Sequence, residues 1–523
     1  MPRQRMAPGG GPQDQQFSPL DESVYVPIPA ITPVGGAAPD LPRDRIGDGF
    51  LASALNFVVR RGAVIQREGY ETAIGPALAS TPVSFFEFIP YNQSALLVAG
   101  GLANFLYYEA TSATPLWTSI TTTARTGAVS NPIFFTPMRT ASSGLRLISV
   151  NGVDPPTWWS GATSSAFTVL STAVIGACAT VWRSHFIQGN TTDTADGAVG
   201  ARIRWSALGD PTVWSGTASA GSLDLLDSNA SRVMNFVPLR SILMAYKDEG
   251  VHNLFYKPDP LYFTQQLVHG TLSLMGAKAV VPIQNGAMHF LLTKEGAIIW
   301  DGQTIRAVGR DKVDRTNLTD LNWNARDVIW AQWWGITSEV LLGIATGANT
   351  TPNRVWIYNL TYNSWWETDL DFFTAHPAYK TWSVPRLVGA RSAGLQVYQL
   401  FSGLSDSTSL TAIASSFETG YFDYGEVKQK EMFKLGAMIG PGTGTTTTIN
   451  LSVAAVENPL VAPVFSTAQA LTMSGGSGFP KVDVRRTGRW HTYRLTHTAA
   501  AQTVEVRSLI PYLTTRSDAR IIR

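Results

Sequence analysis

The sequence predicts an all-β protein with three parts: an extended N-terminal arm, a β-propeller-like body of five or six blades, and a C-terminal β-sandwich. Three observations lead to this prediction. Short β-branched and aromatic runs, each closed by Gly, Asn or Asp, fill most of the chain. A unit that ends in tryptophan recurs through its middle. The C-terminal residues form longer strands without that unit. The predicted domains are therefore 1–46, 47–415 and 416–523.

The arm, residues 1–46, is rich in Pro, Gly and Gln. Prolines at this density disfavour both helices and central strands. We expect an extended segment that is either disordered or laid across a neighbouring subunit. No run in the sequence resembles a secretory signal or a membrane-spanning helix. We therefore expect a soluble protein that is made and stays in a cytoplasm.

The composition is that of a large globular chain with few charges. The 523 residues are too many for one small core, and charged residues make up only 15% of them, well below the usual quarter. Such a surface fits a protein buried in an assembly, although stable extracellular β proteins share it. The one cysteine, Cys178, lies in an apolar run and is expected to be a small buried hydrophobe.

From Phe57 the chain alternates strands with turns, beginning with a hairpin around Arg61 and Gly62. Helical periodicity is almost absent. The exception is DRTNLTDLNWNARDV, residues 314–328, which predicts a turn or two of helix.

The repeated unit is an apolar strand, then a turn, then tryptophan. Its copies are LYYEATSATPLW to Trp117, LISVNGVDPPTWW to Trp159, IRWSALGDPTVW to Trp214, VWIYNLTYNSWW to Trp366 and, more weakly, FLLTKEGAIIWDG with Trp300. The first two spacings, 42 and 55 residues, suit a four-stranded propeller blade with variable loops. We expect each tryptophan to fold over its blade and pack against the next blade.

Asp154 and Asp210 each precede a proline in these units. A carboxylate there normally accepts hydrogen bonds from nearby backbone N–H groups, and Pro211 fixes the turn, so we predict structural roles for all three. A propeller glycosidase would need a pair of converging carboxylates. The candidates Asp248, Glu249, Glu295 and Asp301 all lie in turn-forming sequence.

Other catalytic signatures are missing from the sequence. The seven histidines show no paired metal-ligand spacing, and we expect His491 and His497 to be polar surface residues. No phosphate-binding loop, dinucleotide fingerprint or nucleophile elbow occurs. The sequence therefore predicts no catalytic residue, no cofactor, no metal and no enzymatic activity.

Positive charge is concentrated at the C-terminus. Residues 481–523 contain nine of the 40 Lys and Arg residues but only three of the 38 Asp and Glu residues. The cluster Arg485, Arg486, Arg489 and Arg494 is a candidate contact with an acidic subunit or with DNA. The alternative is a set of solvated arginines on the sandwich surface.

Five stretches, in this order, resemble a known family. They are NFVVRRGAVIQREGY (56–70), IRWSALGDPTVW (203–214), FLLTKEGAIIWDGQTI (290–305), FETGYFDYGEVKQKEMFKLGAMI (417–439) and RRTGRWHTYRL (485–495). Together they resemble the tail hub or nozzle proteins of short-tailed bacteriophages, also called tail tubular protein B or packaged-DNA stabilization protein. The resemblance extends over most of residues 50–510.

This resemblance implies a propeller body, a smaller β domain and a homohexameric ring. The ring would lie in the virion tail, below the portal and adaptor rings and above fibre, needle or tip proteins, after assembly in the host cytoplasm. Double-stranded DNA would pass through it without sequence-specific contacts, and the ring would retain that DNA until ejection. No membrane insertion is implied. The alternatives are a carbohydrate-binding or glycan-degrading propeller of a phage tail, and another virion scaffold protein.

Overall fold

The computed structural model describes residues 26–27, 30–140, 144–217, 219–226, 231–257, 262–391, 395–426, 428–440, 446–474, 478–500 and 502–515. Almost all regular structure in these ranges is β-strand, which confirms the predicted all-β class. Five strands precede the first blade: β1 (Val26–Pro27), β2 (Gly36–Ala37), β3 (Phe50–Leu55), β4 (Phe57–Arg60) and β5 (Ala63–Gln66).

Seven antiparallel meanders follow, each built from consecutive strands. Blades one to four consist of β6 (Pro82–Phe88), β7 (Leu96–Gly101), β8 (Phe105–Tyr108) and β9 (Trp117–Ser119); β10 (Phe134–Thr140), β11 (Gly144–Val150), β12 (Thr157–Trp159) and β13 (Thr168–Val169); β14 (Val174–Trp182), β15 (His185–Asp193), β16 (Gly197–Trp205) and β17 (Gly221–Asp224); and β18 (Val233–Leu239), β19 (Ile242–Lys247), β20 (Val251–Lys257) and β21 (Tyr262–His269). Blades five to seven consist of β22 (Val280–Ile283), β23 (Met288–Thr293), β24 (Gly296–Trp300) and β25 (Ile305–Ala307); β26 (Trp330–Trp334), β27 (Glu339–Ile344), β28 (Arg354–Asn359) and β29 (Ser364–Thr368); and β30 (Phe372–Ala378), β31 (Arg386–Arg391) and β32 (Val397–Leu400).

The blades form a closed ring. Each innermost strand contacts that of the following blade, and β30 returns to β6. The β-propeller is therefore confirmed, but the expected five or six blades were too few, since the ring has seven. Tryptophan units mark only five blades. Blade four contains no tryptophan, and the tryptophan of blade seven, Trp382, lies in the turn after its first strand.

Blade seven is completed by chain that precedes blade one. Ile74 N–H donates to Val397 O at 2.8 Å and Gln399 N–H donates to Thr72 O at 2.9 Å, so residues 72–74 run alongside β32 as an outer edge. Both ends of the propeller therefore meet in one blade, which fastens the ring by backbone hydrogen bonds.

The helical content is small. The sequence prediction for residues 314–328 is confirmed by α1 (Asp314–Asp320) and a 3-10 helix at Trp323–Val328; a second 3-10 turn is Gln284–Gly286.

The C-terminal strands build the predicted β-sandwich together with the N-terminal hairpin. They are β33 (Ser415–Thr419), β34 (Lys430–Gly440), β35 (Thr446–Val456), β36 (Gln469–Ser474), β37 (Lys481–Gly488), β38 (Trp490–His497) and β39 (Glu505–Thr515). One sheet has the order β37-β34-β39-β5-β4, with β1 on β39, and the other runs β3-β33-β38-β35-β36. Residues 50–66 therefore belong to the sandwich, and the predicted propeller start at residue 47 was too early. The hairpin has the same local pattern as a blade hairpin, so only its non-local partners distinguish the two.

Blade six and the sandwich share one ten-stranded sheet. Strand β2 pairs in parallel with β29 through Gly36 and Trp365, and with β3 through Gly36 and Phe50. Asn56 N–H also donates to Glu367 O at 2.8 Å. The two domains are thus joined by continuous backbone hydrogen bonding.

The described part of the arm lies across its own chain. Ile31 exchanges two backbone hydrogen bonds with Leu509. The Asp40 carboxylate accepts from the N–H groups of Arg315 and Thr316 at the start of α1, each at 2.8 Å. Residues 30–46 are therefore ordered against their own chain, which contradicts the expectation of disorder for them, and residues 1–25, 28 and 29 lie outside the described part of the chain.

We predict that Gly36→Ala weakens the domain junction. Gly36 has φ +80°, and an added Cβ would lie 2.5 Å from Trp365 O. We expect a loss of more than about 2 kcal/mol in the free energy of unfolding, measured by denaturant titration. Gly62→Ala is the matched control, because Gly62 has φ +74° with nothing within 4 Å of the added Cβ, and should lose about 1 kcal/mol. Equal losses would contradict the steric argument.

Candidate functional site

The centre of the propeller contains a cavity of about 970 Å³. All seven innermost strands contribute to its wall, because each of them is the edge of its blade that lies nearest the ring axis. The wall combines aromatic and polar side chains, among them Phe86, Phe134, Thr180, Asn235, Gln332, Trp333 and Thr374. Its volume is in the range of small-molecule pockets.

The described residues of this wall include two cationic side chains, the exposed Arg240 and Lys278. Lys278 precedes β22, and its Nζ donates to Val83 O of blade one at 3.3 Å and lies 6.0 Å from the centre of the Phe134 ring. Burial lowers the pKa of Lys278 to about 7. Among the described residues that line the cavity, none is Asp or Glu. The amine therefore has no carboxylate in the cavity to stabilise its charge.

His376 in β30 is a further basic group of the wall. Its Nε2 accepts a hydrogen bond from Glu87 N–H at 3.2 Å. Burial lowers the pKa of His376 to about 4, helped by the charge of Lys278 and opposed by that of Glu87. The ring is neutral at pH 7, and with Nε2 as acceptor its proton resides on Nδ1. The Glu87 carboxylate is itself occupied by the N–H groups of residues 379–381.

Sequence reasoning missed this pair. Lys278 and His376 lie in different blades, so no local spacing connects them. The structure also shows that the expectation for His491 and His497 was wrong, since both are fully buried. They lie in β38, which is hydrogen-bonded between β33 and β35 in the interior of a sheet.

The two turn aspartates make the following contacts. Asp154 accepts hydrogen bonds from Thr126 N–H at 3.0 Å and Asn151 Nδ2 at 2.9 Å. Burial alone would raise its pKa, but these bonds, with the Thr126 hydroxyl and the nearby Arg125 charge, lower the pKa of Asp154. Asp210 Oδ1 accepts from the N–H and the hydroxyl of Thr212. Pro211 is buried directly after the turn.

The tryptophans of the repeat do not occupy one equivalent strand position. Trp117 opens the fourth strand of blade one and Trp159 ends the third strand of blade two, whereas Trp214 lies in the loop between the third and fourth strands of blade three. Trp300 ends the third strand of blade five and Trp366 lies in the fourth strand of blade six. The positions differ because the loop lengths differ between blades.

These tryptophans pack toward the preceding blade, whereas we had expected the next one. Trp159 stacks on Tyr107 of blade one with ring centres 5.6 Å apart. Trp300 meets Tyr246 of blade four at 6.3 Å, and Trp117 Nε1 donates to Ile74 O in the segment that closes blade seven. Trp214 belongs to an apolar cluster with side chains of blade two. In blade six this contact is made by Trp365, whose Nε1 donates to Val308 O. Trp366 is buried and donates to Ser364 Oγ.

The C-terminal arginines make different contacts. Arg485 and Arg486 are both exposed on the edge strand β37, where a β-bulge breaks the alternation of side chains. Arg494 forms an ion pair with Glu418 at 2.6 Å and covers the Phe465 ring. Arg489 lies over Trp490. The four arginines therefore differ in exposure and in the contacts that they make.

The carboxylates considered for glycoside hydrolysis do not reach the cavity wall. Asp248 pairs with Arg232 and Arg326, and the Glu249 carboxylate pairs with Lys294. Asp301 accepts from the N–H groups of the turn that follows it. Within the described ranges, no group of three or more His, Cys, Asp or Glu residues has a metal-binding arrangement. None of the helices described has the length and apolar character of a membrane span.

The closed ring of seven blades and the sheet shared with the C-terminal domain define the protein as a seven-bladed propeller fused to a β-sandwich. No family model matches the sequence, and no curated protein matches it. The extracellular domain of a putative one component system from B. thetaiotaomicron is similar over 66% of this chain and 41% of its own, with 9% identity and a TM-score of 0.40. BBS1N in complex with ARL6DN is similar over 65% of this chain and 99% of its own, with 8% identity and a TM-score of 0.37. The chain therefore spans less than half of the first of these structures.

We predict that Trp159→Ala loosens the contact between blades one and two. Removing this fully buried, stacked side chain should cost about 3–5 kcal/mol of the free energy of unfolding. Trp158→Ala is the control, since that neighbour is only partly buried, beneath the Arg146 guanidinium, and should cost less than about 2 kcal/mol. Denaturant unfolding measures both variants, and a larger loss at Trp158 would refute the assignment.

We predict that Lys278→Met stabilises the protein by about 1–4 kcal/mol at pH 7, because it removes a buried charge without a carboxylate partner. Because the pKa of Lys278 is lowered in the folded protein, its amine is protonated in the unfolded chain but largely neutral in the folded protein between pH 7 and about 10.4. The free energy of unfolding of the wild type should therefore rise as the pH increases through this window. The difference in this free energy between Lys278→Met and the wild type should shrink accordingly. His376, with its pKa near 4, does not titrate there.

Unfolding free energies measured at pH 7 and pH 10 provide the test. Lys380→Met, at an exposed lysine, is the control, and its difference from the wild type in the free energy of unfolding should be the same at both pH values. An advantage for Lys278→Met that stays constant with pH would contradict the lowered pKa.

Proposed function

We propose that this protein is a structural subunit of the tail of a short-tailed bacteriophage. Six copies would form a ring that continues the DNA channel below the portal and adaptor rings, retains the packaged DNA and permits its ejection. The observation that carries the proposal is the architecture: a propeller and a smaller β domain, as the sequence resemblance implies, joined through one sheet. The role is mechanical, and no reaction is part of it.

The junction supports this role because a tail ring has to resist internal pressure. Force applied to either domain would pass through the parallel pairing of β2 with β29 and β3. Backbone pairing loads several hydrogen bonds together, whereas a flexible linker would let the domains separate. Arm residues on either side of β2 contact both domains, since Ile31 bonds to Leu509 in the sandwich and Asp40 binds the start of α1.

The propeller axis is too small to be the DNA path. A cavity of about 970 Å³ between aromatic side chains cannot hold a duplex whose major groove alone is about 12 Å wide. The channel in this proposal is therefore enclosed between subunits. Six identical head-to-tail contacts can close into such a ring.

The charge distribution suits DNA that must slide. The chain has 40 basic and 38 acidic residues, and many arginines are already paired within the subunit. Phosphate contacts add up along a duplex and would slow its passage. Arg485 and Arg486 differ because they are exposed without a described ion pair, so they are the candidates for a subunit contact or a limited DNA contact.

The alternative is a carbohydrate-binding or glycan-degrading tail protein. Its support is the aromatic cavity wall, because aromatic rings commonly line small-molecule pockets. The carboxylates that a glycosidase would need are engaged in turns and ion pairs outside that wall. We therefore favour the ring.

Native mass spectrometry of the purified protein, alone and with its adaptor ring, should detect six copies. A monomer that binds or cleaves glycans and never assembles would overturn the proposal.

Charge reversal tests the exposed arginines. We expect Arg485→Glu with Arg486→Glu to reduce ring assembly or the retention of DNA in particles by at least about tenfold, since like charges would meet across the contact. Arg306→Glu with Arg310→Glu is the control, as both arginines are exposed on the propeller. Unchanged assembly and DNA retention in the first variant would remove the β37 arginines from the interface.

A further inference from the structure

The propeller cavity has the features of an anion-binding pocket. Lys278 extends from blade five toward blade one, and among the described residues its amine makes one hydrogen bond, to Val83 O. An ammonium group has three N–H donors, so two remain available to a ligand. A buried cation without a carboxylate is costly, and a bound anion would offset that cost.

A second donor contributes to the same wall. Because His376 Nε2 accepts from Glu87 N–H, the neutral ring presents its Nδ1–H as a donor, and no described residue accepts from it. Lys278 and His376 contact the same strand of blade one, β6, at Val83 and Glu87, and both contribute to the cavity wall. An oxyanion between them would receive a charge-assisted bond from one side and a neutral bond from the other.

The rest of the wall suits a flat apolar group. Phe86 lies with its ring centre 6.0 Å from that of His376 and 6.1 Å from that of Phe135. The ring of Phe134 lies beside the Lys278 amine, and Trp333 also contributes to the wall. Aromatic ligands gain from offset or edge contacts with such rings in addition to burial.

A positive residue also marks the other end of the cavity. Lys278 precedes the innermost strand of blade five, where it forms a parallel bridge with Trp330, whereas Arg240 lies in the turn after the innermost strand of blade four. Arg240 is exposed and contributes to the wall. An anion that enters past Arg240 would therefore move from one positive residue to another, Lys278.

We propose that this cavity binds a small aromatic carboxylate, with its carboxylate between Lys278 and His376 and its ring against Phe86 and Phe134. The site lies within a single subunit. It is therefore separate from the proposed ring, and either proposal can fail without the other.

Isothermal titration calorimetry of the full chain with 2-naphthoate tests this site, with the uncharged 2-naphthamide as the matched ligand. We expect 2-naphthoate to bind one per subunit. Lys278→Met should weaken that binding by about 10- to 100-fold and leave the weak binding of the amide unchanged. Lys380→Met, an exposed lysine, should behave as wild type.

A second variant tests whether both ligands bind inside the cavity. Thr180→Phe places a ring in the cavity from blade three without altering charge, and should abolish the binding of both ligands while the melting temperature stays within a few degrees of wild type. The proposal is overturned if wild type does not bind 2-naphthoate at millimolar concentration, or if folded Lys278→Met binds it as tightly as wild type.

Discussion

The parallel pairing of β2 with both β29 and β3 is the contact on which the arrangement of the domains depends. Two residues, Gly36 and Ala37, lie between blade six and the sandwich, and β29 also pairs directly with β3 at Glu367 and Leu55, so that the two sheets become one. Gly36 is required there because only a residue without Cβ fits against the Trp365 backbone. The ion pair of Arg60 with the buried Glu339 adds a side-chain contact across the same junction.

The segments that precede blade one complete several distant parts of the molecule. Residues 36–37 join the domains, Asp40 binds the start of α1, the hairpin of β4 and β5 completes a sandwich sheet, and residues 72–74 close blade seven. All of these contacts are non-local, so they form only after the later parts of the chain have folded. The propeller and the sandwich are consequently one interdependent structure, and a subunit built in this way suits the ring that we propose.

Local pattern was sufficient to predict the fold class, because alternating strands, glycine turns and aromatic runs are properties of neighbouring residues. It was insufficient wherever the partner is remote in sequence. Blade four was missed because it contains no tryptophan, and the hairpin at residues 57–66 looks like any blade hairpin until its pairing with β39 is known. Lys278 and His376 line one cavity only because the ring brings blades five and seven to a common axis, so no motif could reveal the cavity. The direction in which the tryptophans pack likewise depends on which blade face is covered.

Hydrogen exchange at the junction tests the central claim, that propeller and sandwich behave as one body. Ala38 N–H donates to Leu51 O within the sandwich, whereas Asn56 N–H donates to Glu367 O across the domain boundary. The account predicts that both amides exchange as slowly as the core amides of β27 in blade six. Rapid exchange at Asn56, with Ala38 and β27 still protected, would show that the domains move independently and would contradict the account.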